Sequence, residues 1–219
     1  MILIFDWDGT LCDSTGKIVR CLESAAAEVG MPVLTEEQYK NIIGLGLPEA
    51  VQTLYPEISA EQSAALRTSY SRIFLQEDKT PSPFYDGVEE TLHQFRDAGY
   101  TLTIATGKSR KGLDRVLNEK ALMGFFHGSR CADETESKPH PKMLHELLSE
   151  FRFEAHEAVM VGDTEFDMEM ARRADMDRIA VSYGAHHVDR LHPFEPVHSV
   201  DFFPDITGFI LNHRKLGVS

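Results

Sequence analysis

A continuous apolar run at the start of the chain constrains the fold more than any other feature. Residues 2–5 are all large and apolar, and a run without polar alternation predicts a strand that is buried on both faces. Similar short runs, each ending at small or polar residues, lie at 101–105, 158–162 and 179–182. Helical patterns separate these runs at 89–98, 141–151 and 167–174. This alternation predicts an α/β fold with a doubly wound parallel sheet and a Rossmann-like core.

The stretch that follows the first strand has a different pattern. Helical segments at 17–29 and 60–75 follow one another, and no convincing strand lies between them. Pro81 and Pro83 then fix an extended chain that resists helix formation. We expect two parts, a core formed by residues 1–14 and 81–219 and a small inserted all-helical cap formed by residues 15–80.

The charge and the cysteines of the chain exclude several classes of partner. A formal net charge of -13 at pH 7 repels nucleic acid, and we find no basic patch that offsets it. No apolar run reaches the length of a membrane span or of a signal peptide. Cys12, Cys21 and Cys131 are odd in number and widely spaced, which is typical of reduced thiols. We expect a cytoplasmic protein with no nucleic-acid and no membrane partner.

Two aspartates at the end of the first strand indicate a metal site. Asp6 and Asp8 flank one residue and precede Gly9 and Thr10, so that their oxygens can converge on one small volume. The repulsion between two carboxylates is tolerable when a hard cation binds between them, and Mg²⁺ prefers such oxygen ligands. A pair of turn or helix-capping aspartates is the alternative for this segment taken alone.

Polar residues after the second strand and before a later helix indicate an anion site. Thr106 offers a hydroxyl, and Gly107 offers a backbone N–H at a helix start, where phosphoryl oxygens bind well. Lys138 stands just before a helix that is entered through proline, and its ammonium can reach an anion from there. Taken singly, these residues are also consistent with a helix cap and a solvated surface lysine.

An acidic segment follows the strand predicted at 158–162. Asp163 stands at the strand end, where its carboxylate can complete a metal site with Asp6. Asp167 lies in the first turn of the helix that comes next. Helix capping by Asp163 or Thr164 is the alternative for this segment.

Four segments in this order resemble the haloacid dehalogenase-like hydrolase superfamily. They are DxDGT at Asp6, the strand-end Thr106, Lys138 with the proline after it, and GDTxxD at Asp163. The resemblance spans nearly the whole chain and is to the phosphatases with a helical cap that include phosphoglycolate phosphatase. It implies a Mg²⁺-dependent phosphatase that hydrolyses small-molecule phosphomonoesters, phosphoglycolate-like or sugar or nucleotide phosphates, through an aspartyl-phosphate.

The resemblance also implies a role for each residue near the reacting phosphorus. Asp6 is the expected nucleophile and Asp8 the expected general acid and base. The carboxylates of Asp6 and Asp163 and the backbone carbonyl of Asp8 are the expected Mg²⁺ ligands. Asp167 is expected to order the metal waters or Lys138 from outside the ligand shell.

Further residues are expected to hold the substrate. Those on the core side are Thr106, Gly107, Lys108 and Lys138. The segment 44–48 resembles the cap loop that faces the core site, which makes Leu45 and Gly46 candidates for contact with the leaving group. A plain turn between cap helices is the alternative, and the GxG in this segment lacks the third glycine of a dinucleotide fingerprint.

Several other functions fit the sequence less well. Asp8 argues against dehalogenation, and residues 14–30 contain no histidine of the kind that sugar-phosphate mutases carry. A phosphonatase needs a cap lysine, for which Lys17 and Lys40 are candidates. A receiver-like module without enzymatic activity needs neither Asp8 nor a cap. We expect a monomer or a homodimer.

Histidines near the end of the chain match no common metal template. They are His186, His187, His192 and His198, and we predict that they lie in a solvated loop.

Overall fold

Six parallel strands form one sheet at the centre of the computed structural model, which describes the backbone of residues 1–216 and the side chains of residues 1–211. The strands are β1 (Ile2–Phe5), β2 (Thr101–Thr106), β3 (Gly128–Cys131), β4 (Ala158–Gly162), β5 (Asp177–Val181) and β6 (His198–Val200). They lie in the order β3-β2-β1-β4-β5-β6. The predicted doubly wound parallel sheet is confirmed. Residues 217–219 of the predicted core lie outside the described part.

Helices fill the connections between the strands. They are α1 (Thr15–Glu28), α2 (Glu36–Lys40), α3 (Leu47–Leu54), α4 (Ala60–Arg72), α5 (Val88–Asp97), α6 (Arg110–Glu119), α7 (Lys142–Phe151), α8 (Glu165–Arg173) and α9 (Ile206–Leu216). A π-helical turn, Ile73–Glu77, continues α4. None of the helices in residues 1–216 has the length and apolar character that crossing a membrane requires.

Strand β1 is the centre of the fold because helices cover the sheet on both faces. Leu3 and Phe5 point into an apolar cluster with α5, α6 and α9, whereas Ile2 and Ile4 point into another with α7 and α8. Strands β2 and β4 lie on opposite sides of β1. The carboxyl end of β1 is therefore the switch point at which a doubly wound sheet binds its ligands.

The sequence analysis missed both edge strands. Strand β3 has the sequence Gly-Ser-Arg-Cys and β6 has the sequence His-Ser-Val, and most of their residues are partly accessible or exposed. Such short polar segments lack the apolar run by which buried strands are recognised. The prediction of a solvated loop is therefore wrong at His198, which begins β6 and pairs with Ile179.

Helices α1 to α4 follow one another between β1 and α5, with no strand in residues 15–80. Their apolar faces form two clusters, one around Leu22 and Tyr39 and one around Ala25 and Leu66. The two connections to the sheet lie side by side, because the Asp13 amide donates to Pro83 O at 2.9 Å. This arrangement agrees with an inserted helical cap, and the division at residues 14 and 81 stays a prediction.

Candidate active site

Asp6 follows β1 directly and is buried at the switch point of the sheet. The turn after it is tight, since the amides of Leu11 and Cys12 both donate to the carbonyl of Trp7, at 3.1 and 3.0 Å. Gly9 has a φ of 83°, and a Cβ at this position would lie 2.2 Å from Asp163 Oδ2. Only glycine therefore lets this turn come so close to the carboxylate on the neighbouring strand.

Three buried carboxylates cluster at this edge of the sheet, and two of them contact one ammonium. Oxygens of Asp6, Asp163 and Asp167 lie within 4.8 Å of one another. Lys138 Nζ lies 2.7 Å from Asp6 Oδ1 and 2.7 Å from Asp167 Oδ1. Burial raises the pKa of Asp6 well above its usual value, and the nearby Lys138 only partly opposes this. Buried negative charge that is not fully balanced is costly, so the cluster has the electrostatics of a cation site.

The oxygens of this cluster fit a hard divalent cation. Asp6 Oδ2 has no hydrogen-bond donor among residues 1–211. Asp163 Oδ1 accepts from Thr10 Oγ1 at 2.7 Å and Oδ2 accepts from the Ala185 amide at 2.7 Å, which leaves each oxygen a further lone pair. Burial, followed by the charge of Asp167, raises the pKa of Asp163 to about 7. A bound cation would offset both effects, and carboxylate oxygens are what Mg²⁺ prefers.

Asp167 is held by contacts different from those of the other two carboxylates. Its Oδ1 pairs with Lys138, while its Oδ2 accepts from the Thr164 amide at 3.0 Å and from Thr164 Oγ1 at 2.7 Å. A Cβ at Gly162 would lie 2.4 Å from Asp167 Cγ, so that glycine makes room for this carboxylate. These contacts hold Lys138 in place through Asp167, whose supporting role stays a prediction.

Asp8 lies in the same turn but has its own partners. Its Oδ1 accepts from Ser14 Oγ at 2.5 Å and lies 2.9 Å from Lys108 Nζ. Lys108 also lies over the ring of Phe74, at 5.0 Å from Nζ to the ring centroid. Lys108 was predicted to bind substrate, and the structure places its ammonium on Asp8.

Thr106 and Gly107 lie at the end of β2, beside β1. Thr106 is buried, and its Oγ1 accepts from the Lys108 amide at 3.2 Å, so that its own proton remains available. Gly107 lies under the segment 44–48, because a Cβ there would be 2.5 Å from Leu45 O and 2.6 Å from Gly44 O. Close backbone approach thus requires glycine at position 107.

The segment 44–48 is docked on the core in this conformation. The Gly46 amide donates to Ser137 Oγ at 2.7 Å, next to Lys138 in the chain. Gly44 has a φ of 103° and lies against Thr164. The side chain of Leu45 lines a cavity together with Asp6 and Asp8. The segment 44–48 therefore faces the cavity that Asp6 and Asp8 line, and its contact with a substrate stays a prediction.

The cavity lies between the end of the sheet and the helical insert. It has a volume of about 610 Å³. Its floor holds Asp6, Asp8, Gly107 and Lys108, and its walls come from α1, the segment 42–50, α4 and the turn after α4. The site thus combines buried charge at its floor with a larger, partly open space beside the insert.

Sequence reasoning missed several residues that shape this site. Thr10 lies in the recognised DxDGT segment but was given no role, whereas it donates to Asp163. Ser14 and Ala185 contact Asp8 and Asp163 from outside the recognised segments. Gly184 is required because a Cβ there would lie 2.2 Å from Asp163 Oδ2. No local pattern marks these residues, since their partners become neighbours only in the fold.

The prediction of a solvated histidine loop is also wrong at His186, which is buried. His186 Nδ1 accepts from the Glu165 amide at 3.2 Å, and His186 Nε2 lies 3.3 Å from Asn41 O. His187 is exposed, as predicted. Within the described residues, the histidines form no metal cluster.

The two lysines considered for a phosphonatase are both occupied. Lys17 Nζ donates to Asp78 O at 2.8 Å and to Thr80 O at 3.2 Å. Lys40 pairs with Glu36 at 2.6 Å on the surface. These contacts give no support to a Schiff-base lysine.

Comparison with known proteins agrees with this geometry. Residues 3–181 match the family described as haloacid dehalogenase-like hydrolase. The chain is 33% identical over 211 residues to "Probable phosphatase IndB" of Dickeya dadantii, covering 94% of this chain and 92% of the relative. It is 30% identical over 219 residues to phosphoglycolate phosphatase of Vibrio vulnificus, covering 96% and 94%.

Solved structures share the whole fold. A predicted phosphoglycolate phosphatase from Haemophilus somnus aligns with a TM-score of 0.87 at 23% identity, covering 95% of this chain and 97% of that chain. A structure from Bacteroides vulgatus with the provisional description of a β-phosphoglucomutase aligns with a TM-score of 0.85 at 19% identity, covering 100% and 90%. The fold alone therefore does not separate phosphatases from mutases.

The chain belongs to the haloacid dehalogenase-like hydrolase family. Within that family it is an enzyme of the phosphatase class, similar to the phosphoglycolate phosphatases. The predicted family, fold and enzyme class are confirmed.

Proposed function

We propose that the chain is a Mg²⁺-dependent phosphatase that hydrolyses small-molecule phosphomonoesters through an aspartyl-phosphate on Asp6. The observation that carries the proposal is the position of Asp6. Its carboxylate lies buried at the floor of a cavity, one oxygen has no donor among residues 1–211, and Lys138 contacts the other. A nucleophile needs such an oxygen facing the reacting phosphorus, and the cavity supplies room for the ester.

The first step transfers the phosphoryl group to the protein. An Asp6 carboxylate oxygen forms a bond to phosphorus, and the bond from phosphorus to the ester oxygen breaks. Asp8 gives a proton to the departing alkoxide, so that an alcohol leaves. In the second step, Asp8 takes a proton from water as the water oxygen attacks phosphorus, and the bond from phosphorus to Asp6 breaks to release phosphate.

The environment of Asp8 supports its role as the proton carrier. It lies in the turn after β1 and lines the cavity beside Asp6. Ser14 and Lys108 hold Oδ1, which leaves Oδ2 for a proton or for water. Lys108 therefore orients the side chain of Asp8, and its contact with substrate stays a prediction.

Mg²⁺ would be held by the carboxylates of Asp6 and Asp163 and by the backbone carbonyl of Asp8. It would supply positive charge that offsets the buried carboxylates and the equatorial phosphoryl oxygens. Thr106 Oγ1, the Gly107 amide and Lys138 Nζ would bind those oxygens from the other side. Phosphoryl transfer needs mainly such positioning and neutralisation of charge.

The substrate is proposed as a class. Relatives named phosphoglycolate phosphatase make phosphoglycolate the first compound to test, and sugar and nucleotide phosphates follow. A mutase of the same family is the second candidate, since a mutase-like fold is among the similar structures. A monomeric or dimeric state, a cytoplasmic location and the lack of nucleic-acid or membrane partners stay predictions.

Phosphate release from a panel of phosphomonoesters tests the proposal. Wild type, Asp6→Asn and the exposed control Asp86→Asn are each assayed with Mg²⁺ and with excess chelator. We expect turnover by wild type and Asp86→Asn that stops with chelator, and a loss of roughly 10⁴-fold or more in Asp6→Asn. Metal-independent turnover, or an Asp6→Asn variant as active as the control, would refute the mechanism. Interconversion of sugar phosphates without phosphate release would favour the mutase.

A further inference from the structure

The cavity above Asp6 is larger than the ester of a two-carbon acid requires. Its volume is about 610 Å³, compared with roughly 30 Å³ for one water molecule in the liquid. Pockets of about 300–1,000 Å³ enclose drug-sized ligands. The transferring phosphoryl group occupies only the end at Asp6 and Asp8, so that most of the volume remains for the leaving group.

Apart from its aspartates, the cavity has mainly apolar walls. Residues that line them include Ile18, Leu22, Ile42, Ile43, Tyr70 and Phe74. Tyr70 and Phe74 form an aromatic pair with ring centroids 5.6 Å apart. Such walls favour an apolar or aromatic ligand over a small carboxylic acid, because they offer little to replace the water around a charge.

Residues along helix α4 line the cavity, starting from its phosphoryl end. Phe74, in the turn that continues α4, lies at the phosphoryl end, since its ring is 5.0 Å from Lys108 Nζ and that ammonium contacts Asp8. Ser71 and Arg67 line the cavity at helical spacing toward the start of α4. At about 1.5 Å of rise per residue, Arg67 lies roughly 10 Å from Phe74 along the helix axis.

The guanidinium of Arg67 has hydrogen-bond donors that are not used within residues 1–211. Its Nε donates to Ser63 O at 3.4 Å, and its two terminal nitrogens have no acceptor among residues 1–211. A guanidinium in this position matches a carboxylate or another planar acceptor through two parallel hydrogen bonds. The cavity therefore has a phosphoryl end with the two aromatic rings beside it, and an arginine farther along α4.

We propose that the leaving group is an aryl-bearing alcohol with a carboxylate at the end remote from phosphorus. The ring packs against Tyr70 and Phe74, and the carboxylate pairs with Arg67. This inference rests on the phosphatase function proposed above and narrows its substrate class. It makes phosphoglycolate a poor substrate, because a two-carbon acid covers little of the apolar wall and does not reach Arg67.

A series of three esters tests the assignment on the Mg²⁺-loaded protein. The esters are phosphoglycolate, benzyl phosphate and 4-carboxybenzyl phosphate. We expect kcat/KM to rise about tenfold from the first to the second, as ring burial adds apolar contact. We expect a further rise of about tenfold with the carboxylate. Phosphoglycolate as the best of the three would overturn the assignment.

Two variants of α4 separate the aromatic and cationic parts of the site. Arg67→Gln should lower kcat/KM for 4-carboxybenzyl phosphate to the level of benzyl phosphate and leave benzyl phosphate unchanged. Arg72→Gln is the matched control, because Arg72 lies on the same helix, pairs with Glu28 and Glu77, and does not line the cavity. Equal effects of the two variants on every ester would rule out Arg67.

Ser71→Phe narrows the cavity between the two ends. It should reduce kcat/KM for both benzyl esters about tenfold or more relative to phosphoglycolate, because the added ring takes up volume that the larger leaving groups need. Ser63→Phe, also on α4 but outside the cavity lining, controls for the effect of the added ring on the helix. An equal loss for the large and small esters would contradict the proposed path of the leaving group.

Binding of the product alcohol keeps the two proposals distinguishable. Calorimetric titration of 4-carboxybenzyl alcohol into wild type should show binding that Arg67→Gln weakens about tenfold. Hydrolysis of phosphoglycolate without binding of this alcohol overturns the inference and leaves the phosphatase proposal intact. No phosphate release from any ester refutes the phosphatase proposal and, with it, the assignment of a leaving group.

Discussion

The two sides of the active-site cavity are built in different ways. On the sheet side, Asp6, Lys138 and Asp167 are joined by contacts of 2.7 Å, and glycines leave no free space behind the carboxylates. On the insert side, residues such as Ile18 and Phe74 offer surface without directional bonds. Phosphoryl transfer requires atoms within tenths of an ångström, whereas a leaving group is selected by shape. Changes on the insert side can therefore alter the substrate without altering the chemistry.

Among the changes that test this contrast between the two sides of the cavity, replacing Asp8 should cause the largest loss of activity. Asp8→Asn removes the proposed proton carrier but keeps the size of the side chain, so we expect kcat to fall by roughly 10²–10⁴-fold. The loss should be the same for small and large alkyl esters, unlike that of Ser71→Phe. The loss in kcat/KM, which reports transfer of the phosphoryl group to Asp6, should be smaller for 4-nitrophenyl phosphate, because its leaving group needs no proton. Steady-state assays of a small alkyl ester, a large alkyl ester and 4-nitrophenyl phosphate provide the measurement.

Asp13→Asn serves as the control for that prediction. Asp13 is exposed and lies in the connection just after the same turn, so its neutral variant should keep wild-type rates. An Asp8→Asn variant that retains a tenth of wild-type activity on every alkyl ester would show that another group carries the proton.

Replacing Asp163 tests how much the buried carboxylates on the sheet side lower the stability of the fold. The pKa of Asp163 is raised to about 7 in the fold, mainly by burial, from a usual value of 3.8. A raised folded pKa means that the favourable contribution of the protonated form is complete below pH 3.8 and is lost as pH rises through 7. Without metal at pH 8, Asp163→Asn should therefore have a free energy of unfolding about 1–3 kcal/mol higher than that of wild type. It should also unfold at a higher temperature.

The same variant should respond differently to Mg²⁺. Wild type should gain thermal stability with added Mg²⁺, and Asp163→Asn should gain much less because a ligand is lost. Thermal unfolding with chelator and with Mg²⁺, at pH 5 and pH 8, measures both effects. Equal Mg²⁺ stabilisation of the variant and wild type would remove Asp163 from the metal site.

The same contrast explains what could be predicted from the sequence. Asp6, Asp8 and Asp163 follow buried strands within short segments, so that strand recognition alone placed them at one edge of the sheet. Thr106 was placed by the same logic, since strand ends of a parallel sheet converge, whereas Lys138 was placed by the proline-marked start of the helix that follows it. The chemistry was therefore readable from segments of a few residues.

The remaining features depend on contacts between distant parts of the chain. Ala185 reaches Asp163 across 22 residues, and Arg67 lines the cavity only because α4 packs over the site. Apolar residues such as Ile18 look the same in sequence whether they fill a core or line a cavity. Strands β3 and β6 were not predicted because edge strands carry polar residues and lack an apolar run. Leaving-group selection therefore needed the fold.

His186 joins the two sides and gives the smallest predicted effect. Its Nδ1 accepts from the Glu165 amide, which requires a neutral ring whose Nε2 donates to Asn41 O in the insert. Burial and Arg190 lower the pKa of His186. A lowered folded pKa means that its stabilisation is present above pH 6.5 and is lost as pH falls through the folded value. His186→Phe should thus cost about 1 kcal/mol at pH 8 and less at pH 5.

Amide exchange of residues 41–46 measures this junction directly. Protection factors in wild type should fall between pH 8 and pH 5, whereas those of His186→Phe should start lower and change little. His187→Phe, at the exposed neighbour, should follow wild type. Equal pH dependence in wild type and His186→Phe would show that another contact holds the segment 41–46 on the sheet. The docked state of Leu45 and Gly46 would then depend on the contact of Gly46 with Ser137 rather than on His186.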